Sequence, residues 1–367
     1  MKLDIKNDQR VILTLDAGGT NFVFSAIKGN EEIIDPLVLP SNAHDLEQCI
    51  QTVIKGFEKA RDKVSADITA ISFAFPGPAD YDLGIIGNLP NFKAFNGGVP
   101  LGPILEDHFG IPVFINNDGN LFAYGEALSG VLPDINQQLK DNDSPKRFKN
   151  IIGITLGTGL GAGIVFDKVL IKGDNSCGAE IHNTLNFNNP DWNAEESIST
   201  RAIIRSYQEN GGNMQGQDFM PRDIAEIAMG SATGNKEAAI KAFKTYGQAL
   251  GAAIANTVTL IDGLVVLGGG ITKAWDLFSG DMFQEINGKY KSGKDLNNRL
   301  SFRVFNLEDE ESFNTFSMGS SKSITVVGSG RKIIYDDMPR TGITVSKLGA
   351  SRAIALGAYA YALEKLK

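Results

Sequence analysis

The chain has 367 residues, 42% hydrophobic and 21% charged, an ordinary globular composition with room for two domains and a large core. Its formal charge is −8 with no basic cluster, which excludes strong non-specific binding to nucleic acid. Cys49 and Cys177 are the only cysteines and form no paired spacing, so a disulfide framework and a four-cysteine zinc site are excluded and a reducing, cytoplasmic setting is expected. Residues 1–10 are polar and lack the apolar core of a signal peptide. No apolar run reaches the ~18 residues of a membrane span; even 251–271 is broken by Asn256, Thr257, Thr259 and Asp262.

In chain order, residues 11–15 predict a buried strand, followed by a Gly-Gly turn and a second strand at 22–27. Residues 33–39 extend the same sheet, with Pro36 confining part of the segment to an edge. Leu46, Cys49, Ile50, Val53, Ile54 and Phe57 recur at helical spacing and predict an amphipathic helix over 43–64. Residues 69–75 read as a strand stopped by Pro76-Gly77-Pro78, and 113–116 as a short strand; from Leu121 the pattern is helical. The polar stretch 132–150 reads as an inserted loop or a hinge excursion. A second half opens with strand 151–156 and the glycine-rich turn 157–163. A helix over 237–258 leads into strand 264–267, residues 273–322 read as helix plus irregular structure, and 349–366 as a tightly packed terminal helix. A strand, a tight glycine turn and another strand thus occur once near the start of each half, a weak internal duplication.

Five stretches carry chemistry. In Asp16-Ala17-Gly18-Gly19-Thr20-Asn21 two glycines let the backbone turn and approach a ligand, with amides and the Thr20 hydroxyl available to an anion. Asp16 is placed to organise Mg²⁺ through water, since that ion takes few carboxylates; an ordinary Asp-initiated hairpin is the alternative. The P-loop lysine is missing. Four glycines between Gly157 and Gly163, with Thr158 and Gly159 in the first turn, read as a second phosphate loop or as glycines packed in a sheet corner. In Asn116-Asn117-Asp118-Gly119-Asn120, at a strand-to-helix junction, Asp118 is either a helix cap or a carboxylate that accepts a proton from a hydroxyl. Glu180, His182, Asn193 and Glu195 suit vicinal hydroxyls, or leave His182 a structural histidine in a polar loop. Strand 264–267 ends in Gly268-Gly269-Gly270, where an adenosine could lie against bare backbone.

Taken in order, these stretches resemble the ROK family (repressor, open reading frame, kinase) of the actin-like ATPase superfamily, over nearly the whole chain. Asp16 to Thr20 looks like the first phosphate motif, and Gly157-Thr158-Gly159 the second. Asn117-Asp118 is similar to the pair whose Asp is the catalytic base, and Val266 to Gly270 to the adenosine motif. Pro76 to Asp80 and Asn88-Leu89-Pro90 are similar to the sugar-side loops, and 348–366 to the closing helix.

The resemblance implies an α/β fold of two actin-like (ribonuclease-H-like) ATPase domains with mixed sheets flanking a cleft. Residues 1–123 with helix 349–367 would form one domain and 124–348 the other. It implies ATP-dependent phosphorylation of a hexose, with Asp118 as general base and Asn88, Asn117, Asp118, Glu180, His182 and Glu195 around the sugar. ATP and Mg²⁺ would be the cofactors, a small hexose the partner and a homodimer the assembly, without nucleic acid or membrane.

Glu180 and His182 depart from the family's E-x-G-H segment by one missing glycine. Aligning Glu195 on the glutamate that ends the family's zinc loop places Asn186, Asn188 and Asn193 where its cysteines stand, so no structural zinc is expected. About ten residues precede the first strand, too few for a repressor's helix-turn-helix domain. A catalytically inactive sugar-binding protein of the same fold is the alternative, with a sugar-independent ATPase of the same superfamily behind it.

Overall fold

The computed structural model describes residues 4–18, 20–87, 89, 94–213 and 219–366. The chain divides into two compact units. Unit 1 is Met1–Gly130, Ala162–Ala179 and Leu348–Lys367; unit 2 is Val131–Gly161 and Glu180–Lys347. Residues 162–179, expected in the second domain, therefore count with unit 1. The packing of Gly163 on Gly119 accounts for this: a Cβ on Gly163 would fall on the Gly119 carbonyl, within 2.7 Å of the Asn120 Cα and 2.8 Å of the Ala123 Cβ.

In unit 1 the sheet runs Glu31–Glu32, Asn21–Lys28, Val11–Ala17, Ile68–Ala74, Val113–Asn116, with Leu37–Pro40 also pairing Asn21–Lys28. It is mixed: Val11–Ala17 is antiparallel to Asn21–Lys28 and parallel to Ile68–Ala74, which is parallel to Val113–Asn116. The predicted amphipathic helix is Leu46–Asp62, started by the Asp45 carboxylate accepting the Gln48 N–H at 2.9 Å. It buries Cys49, Val53 and Phe57, and its Gly56 lies flat against the Phe24 ring. Burial raises the Cys49 thiol to about 11, so it stays a neutral hydrophobe. The helix Ala350–Lys365 packs on the strands of the sheet, and the helix Asp118–Leu128 packs on it in turn. Both are buried nearly all round, and they touch through glycine: a Cβ on Gly125 would run into the Ala353 carbonyl, and one on Gly357 into the Leu121 carbonyl. Tyr359, buried in the terminal helix, accepts the Gly29 N–H at 3.0 Å and ties that helix to the first hairpin.

In unit 2 four strands run parallel in the order Ile151–Leu156, Leu264–Gly268, Arg340–Val345, Arg303–Asn306. The long helix Lys236–Ile261, predicted over a shorter span, packs on Trp275–Ile286 through Gly247 and Gly251, where side chains would meet the Phe278 and Met282 carbonyls. Two sequence expectations are corrected here. Residues 131–141 form a helix, Val131–Asp141, because Val131, Leu132, Ile135 and Leu139 make a narrow buried stripe within a polar composition. The stretch 273–322 holds more strand than expected: the hairpin Lys289–Ser292 with Asp295–Asn298, the strand Arg303–Asn306, and the start of Ser321–Thr325, which pairs with Lys332–Asp336. Both hairpins are exposed on their two faces, so no hydrophobic alternation marks them. No helix among the described residues is long and apolar enough to cross a membrane.

The helix contact in unit 1 leaves no room for a methyl group. Gly357→Ala is expected to destabilise the protein by about 1–3 kcal/mol, the usual cost of forcing extra volume into a packed core. Urea unfolding measures this; an unchanged midpoint would show that the two helices part freely.

Candidate active site

The parallel register of unit 1 puts three residues in line across the sheet: Asp16 opposite Ala74, and Ala74 opposite Asn116. Asp16 and Asn116 therefore end two strands at the same carboxyl edge, about 10 Å apart at two strand spacings. That edge is where open α/β sheets bind ligands. From Asp16 the chain turns at once, and the Gly18 N–H donates to the Asn21 carbonyl at 3.1 Å. A Cβ on Gly18 would sit 2.8 Å from that oxygen, so this turn demands glycine for close approach. Thr20 and Asn21 are exposed, and the Thr20 carbonyl is held by the Ser41 N–H at 2.9 Å. Gly19 and Asn88 lie outside the described residues. Asp16 is half-buried at the strand end; one carboxylate beside a turn of amides fits a magnesium ion that keeps most of its waters.

The asparagines of 116–120 divide the work of the strand-to-helix junction. Asn116 is fully buried, and its Oδ1 accepts the Asn117 N–H and the Asn120 Nδ2, each at 2.9 Å. Asn117 is the helix cap: its Oδ1 accepts the Asn120 N–H at 2.6 Å. Asp118 is thus not the cap. It begins the helix proper, is exposed, and its Oδ1 accepts the neighbouring Gly119 N–H at 2.8 Å. Gly119 follows because a side chain there would fall on the backbone of Ala162.

In unit 2 the register pairs Leu264–Gly268 with Ile151–Leu156 in parallel, Gly268 opposite Thr155. The turns at 157–159 and 268–270 therefore leave one sheet edge side by side. Their glycines serve different ends. Gly269, with φ of 95°, faces Leu156 so closely that any side chain would strike its backbone. Around Gly157 and Gly270 nothing lies within 4 Å of a built Cβ, so their backbone is open to a ligand. Thr158 is exposed. Sequence reasoning missed Thr200, whose N–H and hydroxyl both donate to the Gly157 carbonyl at 2.9 Å and fix the turn. A threonine opening a helix some forty residues away gives no local signal.

Glu195 faces the same turn. Its Oε2 accepts the Leu160 N–H at 2.9 Å and lies against Gly159, while its Oε1 accepts from Arg201 at 2.9 Å. A carboxylate oxygen has two lone pairs, so each retains capacity for a hydroxyl. Arg201 was not foreseen either; it also pairs with Glu196 at 2.6 Å. His182 Nδ1 meets Glu180 Oε2 at 2.8 Å. That hydrogen bond holds the imidazole above its ordinary value against the opposing effect of burial, and the charges of Glu180 and Glu195 add to it. Glu180, His182 and Glu195 are thus one cluster in unit 2. Asn186, Asn188 and Asn193 offer amides rather than thiolates, and both polar side-chain atoms of Asn186 are already hydrogen-bonded, so this set does not fit zinc. No group of three or more His, Cys, Asp or Glu among the described residues could hold a metal.

Because His182 is raised on folding, its pairing with Glu180 contributes stability that is complete below the ordinary value of about 6.5 and fades as pH rises through the folded value. Glu180→Gln is expected to lower the unfolding free energy more at about pH 6 than at about pH 9. Urea titrations at the two pH values test this; an equal loss at both would place the stabilisation elsewhere.

The family model of the ROK family matches residues 12–310. A solved structure of a glucokinase from Parabacteroides distasonis is 49% identical, with each chain covered to 99% and a TM-score of 0.89. The glucokinase of Thermotoga maritima is 24% identical over 75% of this chain and 86% of its own. The xylose repressor of Bacillus subtilis is 24% identical over 61% of this chain and 54% of its own. The chain belongs to the ROK family and is one of its sugar kinases.

Proposed function

We propose that the protein transfers the γ-phosphoryl group of ATP to a hydroxyl of a hexose, with glucose the first candidate and Asp118 the general base. The observation that carries this reading is the division of labour at 116–120. Capping falls to Asn117, so the exposed Asp118 is left free of that task two residues beyond Asn116, the strand end in register with Asp16. The likeness to a glucokinase over the full chain supports glucose.

In the reaction the sugar hydroxyl oxygen attacks the γ-phosphorus in line while the bond to the leaving ADP oxygen breaks, and Asp118 accepts the hydroxyl proton. The protein supplies mostly position and charge stabilisation. Amides of the turns after Asp16 and at Gly157-Thr158-Gly159 take phosphate oxygens, and the open backbone at Gly270 lies along the adenosine. The amide of Asn117, the second ring nitrogen of His182 and the remaining lone pairs of Glu195 hold sugar hydroxyls. Magnesium, when bound at Asp16 through water, neutralises phosphate charge.

Asp118→Ala is expected to lower kcat by about 10²–10⁴-fold with a smaller change in KM, as for loss of one acid–base group. Coupled ADP release at fixed MgATP, run over glucose, fructose, mannose and N-acetylglucosamine, measures this and ranks the sugars. Near-normal turnover in the variant would remove Asp118 from the base role. ADP release indifferent to sugar would make the protein an ATPase, and sugar binding without turnover would make it a sensor.

A further inference from the structure

The loop that carries Glu195 is drawn together by one buried amide. Asn186 is 6% exposed, and every polar atom of its side chain is engaged. Its Oδ1 accepts the N–H groups of Asn188 at 2.8 Å and Asn189 at 3.1 Å, and lies 3.0 Å from the Ser197 hydroxyl. Its Nδ2 donates to the Asn193 carbonyl at 2.7 Å and to Ser197 Oγ at 2.9 Å. Its backbone N–H donates to the Trp192 carbonyl at 3.2 Å. Ser197 is itself buried, and the Asn188 amide reaches the same hydroxyl at 3.5 Å.

These bonds join two arms of chain, 184–189 and 193–197, that close at their base by the Ala194 N–H to the Thr184 carbonyl at 2.8 Å. Asn193 and Ser197 bracket Glu195. Asn193 also accepts the Glu196 N–H at 3.3 Å, which starts the single helical turn Ala194–Glu196. A fully satisfied buried network specifies one conformation, whereas a partly satisfied one costs the desolvation of each orphaned group.

We infer that Asn186, with Ser197 as its bridge, is the positioning residue for Glu195: hydrogen bonds rather than a metal hold this loop together. The inference rests on the proposed contact of Glu195 with the sugar. Asn186 touches no substrate; it acts by fixing the turn from which Glu195 reaches the Leu160 amide.

The test compares the full-length wild type with Asn186→Ala and with Leu185→Ser, a change at an exposed side chain of the same loop. Metal content, sugar Kd by calorimetry, and KM for sugar and for ATP are measured. The wild type is expected to carry zinc far below one per chain and to keep its sugar Kd in the presence of chelators. Asn186→Ala should raise sugar Kd and KM by about ten- to a hundredfold, the cost of misplacing a positioned group, with ATP KM moved less than about twofold. Leu185→Ser should match the wild type. An unmoved sugar Kd in folded Asn186→Ala, an equal weakening of sugar and ATP, or one zinc per chain would overturn the inference. If Asn186→Ala does not fold, Ser197→Ala replaces it, with the same split expected at a smaller factor and an unchanged sugar Kd overturning it. A wild type that neither binds nor turns over any sugar would overturn the kinase reading as well, whereas a normal wild type with an unmoved Asn186→Ala overturns only the positioning role.

Discussion

Backbone packed directly on backbone places the candidate base. The helix that begins at Asp118 has no space for a side chain at Gly119, which faces Ala162, nor at Gly125, which faces Ala353; its neighbour Gly357 meets the Leu121 carbonyl. A helix held at such separations cannot rotate or slide by a fraction of a turn without collision, because packed interiors have no slack. Asp118 inherits that rigidity one residue before the first of these contacts. The strand that reaches Asn116 fixes the other side of the junction through a buried amide network. The exposed carboxylate thus stands on a base fixed from two directions, which suits a reaction whose catalysis is chiefly positioning.

The glycines were legible in the sequence, but not the reasons for them. Four glycines in 157–163 read equally as ligand approach or as corner packing, and the structure divides them. Gly157 faces open space, Gly159 leaves room for the Glu195 carboxylate, and Gly163 lies on the Asp118 helix. Periodicity found Leu46–Asp62 and the buried strands because each presents an apolar face of regular period. It missed the helix Val131–Asp141, whose four buried residues are diluted by polar neighbours, and the hairpins at 289–298 and 321–336, which bury neither face. At the site the acidic and histidine positions were visible as residue types in motif order. Thr200 and Arg201 were not: Thr200 braces a turn from forty residues away, and Arg201 meets Glu195 across an irregular bend whose geometry spacing alone does not give.

Unit 2 solves its positioning problem by different means. There the key carboxylate sits on an irregular loop, with no long helix to hold it, and polar bonds replace steric ones. Glu195 is tied at one oxygen to the amide that follows the turn at 157–159 and at the other to Arg201, while Asn186 and Ser197 close the loop beneath it. The tie to Leu160 has a consequence for the chemistry. The residue proposed to hold sugar leans by one hydrogen bond on the strand that leaves the turn proposed to hold phosphate. That turn is braced separately, by the Thr200 N–H and hydroxyl on the Gly157 carbonyl, so a loop that displaced Glu195 would break its bond to Leu160 and leave the turn in place. The bond to Leu160 thus sets the carboxylate against a fixed reference, a single backbone amide. It also explains why a web of amides can stand at this loop: what the site needs there is a fixed distance, and a fully bonded buried asparagine supplies one as well as any cross-link that spans the same two arms.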